Sequence, residues 1–382
     1  MAEYKLALKD DDFGLILPYV KNDNITDINY NGEDLWINDL EKGRYKVENS
    51  GITDLWIAQF AQKLSNNMKV QFNKSQPFLE AETDMLRISI IHKDVTATGY
   101  SVSIRKTPPV RRLSYDKMIQ DKYCEDNLEV FLANAVKCGF NIIVCGLPGT
   151  GKTELVKYLT KYIPPYEKTI TIEDNLEIRY RAINPGKDCV EMKVSDLMSY
   201  DQAIKLSMRQ LPTWVLIAET RGKEVTELIK ALSTGTHCLT TLHTDSVRKV
   251  PERMRNMSPD VNVNDIYMFI DIAVQVKSFV KEGQKIRRKI TEVALIYHNV
   301  ETGENKVIML YENGKFTNND IPSDMMYQFR DGGIEKPFEH NELIDADTKL
   351  ERQSLSQKTT EDIVEKEVVE ESSDNTEDFT IN

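Results

Sequence analysis

The chain has no long hydrophobic run. Nowhere in its 382 positions do about 18 consecutive apolar residues occur, so no segment reads as a membrane-spanning helix. The start MAEYKLALKDDDFG has no apolar stretch behind basic residues and does not read as a secretory signal. Cysteine is scarce: Cys124, Cys138, Cys145, Cys189 and Cys238 are odd in number, widely spaced, and form neither C-x-x-C nor a Cys/His metal spacing. They read as reduced, mostly buried thiols of a cytoplasmic protein. Positive charge is not in excess, with 49 Lys and Arg against 61 Asp and Glu, a net of −12. From His340 to Asn382 there are 13 acidic and 4 basic residues, a net of −9, which leaves −3 on residues 1–339. Neither part has the concentrated basic face of a phosphate-backbone binder, so direct nucleic-acid binding is not expected. These absences exclude a secreted, fibrous, membrane-spanning or zinc-finger protein.

What is present divides in two. Residues 1–107 hold short alternating runs between turn signals: ITDINY, Asn31-Gly32, DLWIND, Glu41-Lys42-Gly43, then LRISIIH and GYSVSIR. With a helix over Leu55 to Asn66, they predict a small α+β domain. Thr107-Pro108-Pro109 ends that pattern, since a proline pair extends neither a helix nor a central strand, and places a linker over 108–118. Over 119–300 strands alternate with helices: NIIVC, TELVKYLTKY, KTITIED, a helix opened by Ser195, TWVLIAE, EVTELIKALSTG and HCLTTLH. That alternation predicts an α/β domain with a mostly parallel sheet. Residues 301–339 read as a hairpin and appendage entered at Glu301-Thr302-Gly303. Residues 340–382 read as an acidic disordered tail.

The chemistry is concentrated at strand ends. GLPGTGKT, Gly146 to Thr153, satisfies G-x-x-x-x-G-K-[ST], which arises by chance in roughly one chain of this length in a hundred. It follows a buried strand and opens a helix, the context a phosphate loop requires. Gly146, Gly149, Thr150 and Gly151 wrap phosphate with backbone N–H groups at a helix N-terminus, and Pro148, which has no N–H, shapes the same loop. Lys152 neutralises the β- and γ-phosphates, and the Thr153 hydroxyl completes a Mg²⁺ shell, so ATP with Mg²⁺ is the expected ligand. Three further strand ends carry Glu173-Asp174, then Glu219 with Arg221, then His243. A carboxylate there holds Mg²⁺-bound water or polarises the attacking one, and a histidine orients the γ-phosphate. His237 is a weaker candidate of the same kind.

In this order the phosphate loop, TIED, the strand ending in ETRG, and TG…TTLHT resemble the type II/IV secretion ATPases. That superfamily includes VirB-type conjugation ATPases and the motors of Flp-type pili, type IV pili and type II secretion. The likeness runs from about Ile25 to Tyr297. It implies a RecA-like ATPase domain behind a small α+β domain, with ATP between them. It also implies a homohexamer on the cytoplasmic face of a membrane-embedded secretion, conjugation or pilus machine. Carried over, Lys152 and Thr153 are the Walker A pair, and Glu173 the acid that activates water. Glu219 is the Walker B acid, holding Mg²⁺ through water, and His243 the His-box histidine. Arg221 belongs to the G-E-x-R-G element, and Arg105 in SIRK approaches the nucleotide from the N-terminal domain. The sequence departs from the pattern at Ala218, Pro212-Thr213 and Gly235-Thr236. A tetracysteine zinc segment is missing, which points toward conjugation- or Flp-type systems. Arg105, Arg111, Arg112, Arg179 and Arg181 are the candidates for reaching a neighbouring subunit. The competing readings are a nucleic-acid motor on the same core and a nucleotide-gated scaffold without turnover. The first needs a basic channel; the second has no need of Glu173, Glu219 and His243.

Overall fold

A computed structural model describes residues 8–279 and 284–353. Its N-terminal part is built on β1 (Ile25–Tyr30), β2 (Leu35–Asp39), β3 (Gly43–Lys46), β4 (Phe78–Glu82), β5 (Leu86–Ile91) and β6 (Ser101–Lys106). They form one antiparallel sheet in the order β3-β2-β1-β6-β5-β4. Alternation sets its two faces: Ile88, Ile90, Val102 and Ile104 point inward, whereas Ser103 and Arg105 point out. The helix Asp54–Met68 covers the apolar face with Ile57, Phe60, Ala61 and Leu64, the spacing of one helical stripe. Thr53 caps its start by accepting the Trp56 N–H at 3.2 Å.

The second part holds β7 (Ile142–Cys145), β8 (Thr169–Glu173), β9 (Cys189–Lys193), β10 (Trp214–Thr220), β11 (His237–Leu242), β12 (Ile272–Phe279), β13 (Arg287–Asn299), β14 (Glu304–Glu312) and β15 (Lys315–Phe316). The sheet order is β15-β14-β13-β12-β7-β11-β10-β8-β9. From β12 to β9 every pairing is parallel, and β13 to β15 add antiparallel strands at one edge. This is an α/β protein of the RecA-like kind. The central strands are buried on both faces, as parallel strands under helices must be. One consequence governs everything below. Because β7, β8, β10 and β11 run parallel, the residues that follow them converge on one edge of the sheet.

Three expectations need correction. The helix expected from Ser195 is Tyr200–Met208, capped by Ser199 and Gln202, while Ser195 pairs with Met198 in a tight turn ahead of it. Residues 304–316 extend the large sheet instead of forming an appendage. The segment from His340 is not unstructured as far as residue 353. Residues 342–353 are helical, bury Ile344, and set Glu351 against Lys161 at 3.0 Å and Asp347 against Lys137 at 2.6 Å. Residues 354–382 of that expectation lie outside the described residues.

Candidate active site

The loop between β7 and the helix Lys152–Leu159 takes a path that only glycine follows easily. Gly146, Gly149 and Gly151 have φ of 155°, 77° and 92°. Space is a second constraint at Gly146, where a Cβ would lie 2.4 Å from the Val276 carbonyl oxygen. Thr150 braces the turn by donating to the Leu147 carbonyl at 2.9 Å. Lys152 is buried, with Nζ 3.2 Å from the Leu147 carbonyl and 3.3 Å from His243 Nδ1. Burial pulls its ammonium below the ordinary lysine range, and Glu219 opposes that pull.

Glu219 is positioned by a break in strand pairing. The β10–β11 register shifts between Ile217 and Thr220, so the Glu219 side chain is re-aimed at the strand end. Three threonines hold the break: Thr241 Oγ1 donates to the Ala218 carbonyl at 2.6 Å, and the Thr220 and Thr240 hydroxyls meet at 2.9 Å. Glu219 then accepts from His243 Nε2 at 2.6 Å and from Arg221 at 2.8 Å. An ammonium only donates, so the contact with Lys152 suits an acceptor Nδ1 and leaves Nε2 to donate to Glu219, the neutral tautomer. Burial and the nearby ammonium both lower its pKa, consistent with that state. The result is a relay of Lys152, His243 and Glu219 across one end of the sheet, extended by Arg221 to Asp174 at 2.8 Å. His237 sits at the opposite end of β11, against Trp214 and away from this edge.

Glu173 does not face the site. It is fully buried, and its Oε2 accepts the N–H groups of Glu177 at 2.8 Å and Ile178 at 2.9 Å. Oε1 has no partner among the described residues, and burial raises its pKa to about 8. The carboxylate that does face the loop is Glu177, which accepts the Thr153 hydroxyl at 3.3 Å. Sequence reading passed over Glu177; the signal was its place four residues after Glu173, at the end of a short loop that the buried carboxylate ties back.

The N-terminal domain closes the site from the other side. A cavity of about 590 Å³ lies between the two parts, lined by Lys152, Thr153 and Glu177 on one wall and Arg105 on the other. Eleven Lys and Arg line it against five Asp and Glu, a charge balance suited to a polyphosphate. Arg105 is held there by Asp27 at 3.0 Å. Arg112 also lines the cavity. Arg111 is spent within the fold, donating to the Lys157 and Ile183 carbonyls and to Asn184. Arg179 donates to the Asp84 carbonyl of the N-terminal domain, and Arg181 is exposed outside the cavity.

The Thr153 hydroxyl at the loop and the Glu219 carboxylate at the end of β10 are the hard oxygens offered beside Lys152. Such a set suits Mg²⁺ carried on a triphosphate, which takes one or two protein oxygens and fills the rest with phosphate and water. Among the described residues no helix is long and apolar enough to cross a membrane.

Comparison with known proteins bears on the fold that carries these residues. The profile of the family described as "Type II/IV secretion system protein" matches residues 78–309. An uncharacterized protein of Bacillus anthracis is 28% identical over 342 residues, covering 86% of this chain and 74% of that protein. The type IV secretion system protein PtlH of Bordetella pertussis is 29% identical over 181 residues, 43% of this chain and 52% of that protein. The X-ray structure of the Yersinia pseudotuberculosis ATPase DotB superposes with a TM-score of 0.59 at 13% identity, covering 78% of this chain and 82% of that one.

Proposed function

The chain belongs to the type II/IV secretion system protein family, and from that premise we propose that it is an ATP hydrolase driving a membrane-embedded secretion or conjugation machine. The observation that carries this reading is the convergence of Lys152, His243, Glu219 and the Thr153–Glu177 pair on one sheet edge beneath Arg105. ATP docks with its phosphates in the Gly146–Thr153 loop and against Lys152. Bound Mg²⁺ supplies Lewis-acid polarisation of the phosphoryl oxygens, with Thr153 and, through water, Glu219 as its protein partners. Glu177 takes the role expected of Glu173: it orients the attacking water and receives its proton. Glu173 instead shapes the loop that presents Glu177. Arg105 offsets the charge that develops on the transferred phosphoryl group.

In this reading Lys152 leaves His243 for the γ-phosphate when ATP binds, so His243 reports whether that phosphate is present. Loss of the γ-phosphate frees His243 and Arg105, and residues 1–107 rotate against 119–300 about the 108–118 linker. The working unit is a homohexamer at the inner face of the cell membrane. The test is Mg²⁺-dependent ATP hydrolysis by the purified chain, resolved by native mass. Turnover is expected from a species near six subunits and is lost in Lys152→Ala and Glu219→Gln. Wild-type turnover in both variants would overturn the assignment.

A further inference from the structure

The phosphate loop has a second basic wall that none of the sequence motifs contains. Arg288, on β13, passes so close to the loop that its Cδ lies 3.0 Å from where a Cβ on Gly151 would sit. Glycine at 151 therefore admits the Arg288 side chain as well as the positive φ. The guanidinium is poorly satisfied: Nε is buried without a hydrogen-bond partner, and Arg288 stands in no ion pair among the described residues. Beside it lies Tyr123, only 4% exposed, whose hydroxyl is likewise buried without a partner. Both residues line the cavity. A buried guanidinium N–H and a buried hydroxyl left without partners are costly, and a protein keeps such groups where a ligand completes them.

Resting on the nucleotide reading above, we infer that Arg288 and Tyr123 bind the α/β end of the nucleotide's phosphate chain. The γ end is marked by Lys152, His243 and Glu219. Arg288 comes to Gly151 from β13, with Tyr123 and Glu154 as its electrostatic neighbours. The guanidinium donates to phosphate oxygens in a charge-assisted contact, and the Tyr123 hydroxyl donates alongside it. Because the contact lies away from the γ-phosphate, ADP gains from it as much as ATP.

The test uses the full chain and equilibrium binding of ADP and ATP, together with thermal unfolding with and without nucleotide. Arg288→Met removes the charge and keeps the bulk. It is expected to weaken ADP and ATP about tenfold each, the order of one charge-assisted contact. Its nucleotide-free Tm is expected to stay level or rise, since a buried N–H without a partner has gone. Arg288→Lys recovers part of the affinity, and Tyr123→Phe weakens ADP severalfold without lowering the nucleotide-free Tm. Unchanged ADP affinity in Arg288→Met, or a lowered nucleotide-free Tm with affinity intact, would overturn the inference and leave Arg288 as packing. Wild type failing to bind either nucleotide would overturn the site reading itself, and Lys152→Ala serves as its reference.

Discussion

Glu173 and Glu177 are four residues apart and meet opposite surroundings, and their variants separate fold from chemistry. Glu173→Gln keeps an acceptor for the two N–H groups that it ties, so turnover is expected to stay within about threefold of wild type. Glu177→Gln removes the base beside Thr153, and kcat is expected to fall by about 10² or more, the usual contribution of a positioned general base. Comparable losses in both variants would show that the two carboxylates act as one unit. Glu173 also sets a pH dependence. Its folded pKa of about 8 stands above the 4.5 of an ordinary glutamate, so the folded state holds a proton that the unfolded chain has released. The stability it contributes is complete below about pH 4.5 and is lost as pH rises toward 8, with a slope of at most about 1.4 kcal/mol per unit. Urea unfolding across that window should therefore fall more steeply with pH in wild type than in Glu173→Gln. Equal slopes would mean that Glu173 is ionised throughout.

At the scale of elements, buried strands were legible and edge strands were not. NIIVC, KTITIE and TWVLIAE are apolar runs that suit only an interior strand, and they became β7, β8 and β10. CVEMK is half polar because β9 closes the sheet at its edge, so no run marked it. The helix at 342–353 was hidden for another reason. It buries Ile344 and Thr348, and much of what fixes it is charge drawn from residues some 190 positions away, which periodicity cannot register. Lys161 and Glu351 are 7% and 11% exposed, so removing Glu351 takes the direct ion-pair partner from a buried ammonium that keeps the Tyr158 hydroxyl at 3.0 Å and the Tyr158 and Tyr162 rings. Glu351→Ala is expected to cost about 3 kcal/mol in denaturant unfolding; a loss below about 0.5 kcal/mol would mean that the helix is only loosely held. The threonines of TTLHT read as strand formers, yet their hydroxyls stitch the β10 bulge. Thr241→Val should cost about 1 kcal/mol of stability and lower kcat severalfold by releasing Glu219. A stability loss with kcat intact would place the register of Glu219 elsewhere.

For the whole molecule, the two sheets were legible from the change of pattern at Thr107-Pro108-Pro109, but the closure between them was not. It depends on side chains distant in sequence: Lys193 meets Glu82 at 2.6 Å, and Arg179 reaches the carbonyl of Asp84. Both contacts clip the β4–β5 hairpin onto the edge of the large sheet, close to where the linker leaves β6, since Thr107 donates to the Met85 carbonyl at 2.7 Å. With both side chains 31% exposed, the Lys193–Glu82 pair is worth roughly 0.2–1 kcal/mol, far too little to unfold anything but enough to bias an open–closed equilibrium. Glu82→Lys sets two ammonium groups against each other at the clip. The expected result is a two- to fivefold rise in KM for ATP, because Arg105 is then less often over the loop, with Tm unchanged and a larger radius of gyration in solution scattering. The charge swap Glu82→Lys with Lys193→Glu should restore most of the affinity, since it rebuilds the attraction with reversed sign. An unchanged KM in Glu82→Lys would mean that nucleotide itself holds the domains together, leaving the clip with no part in closure.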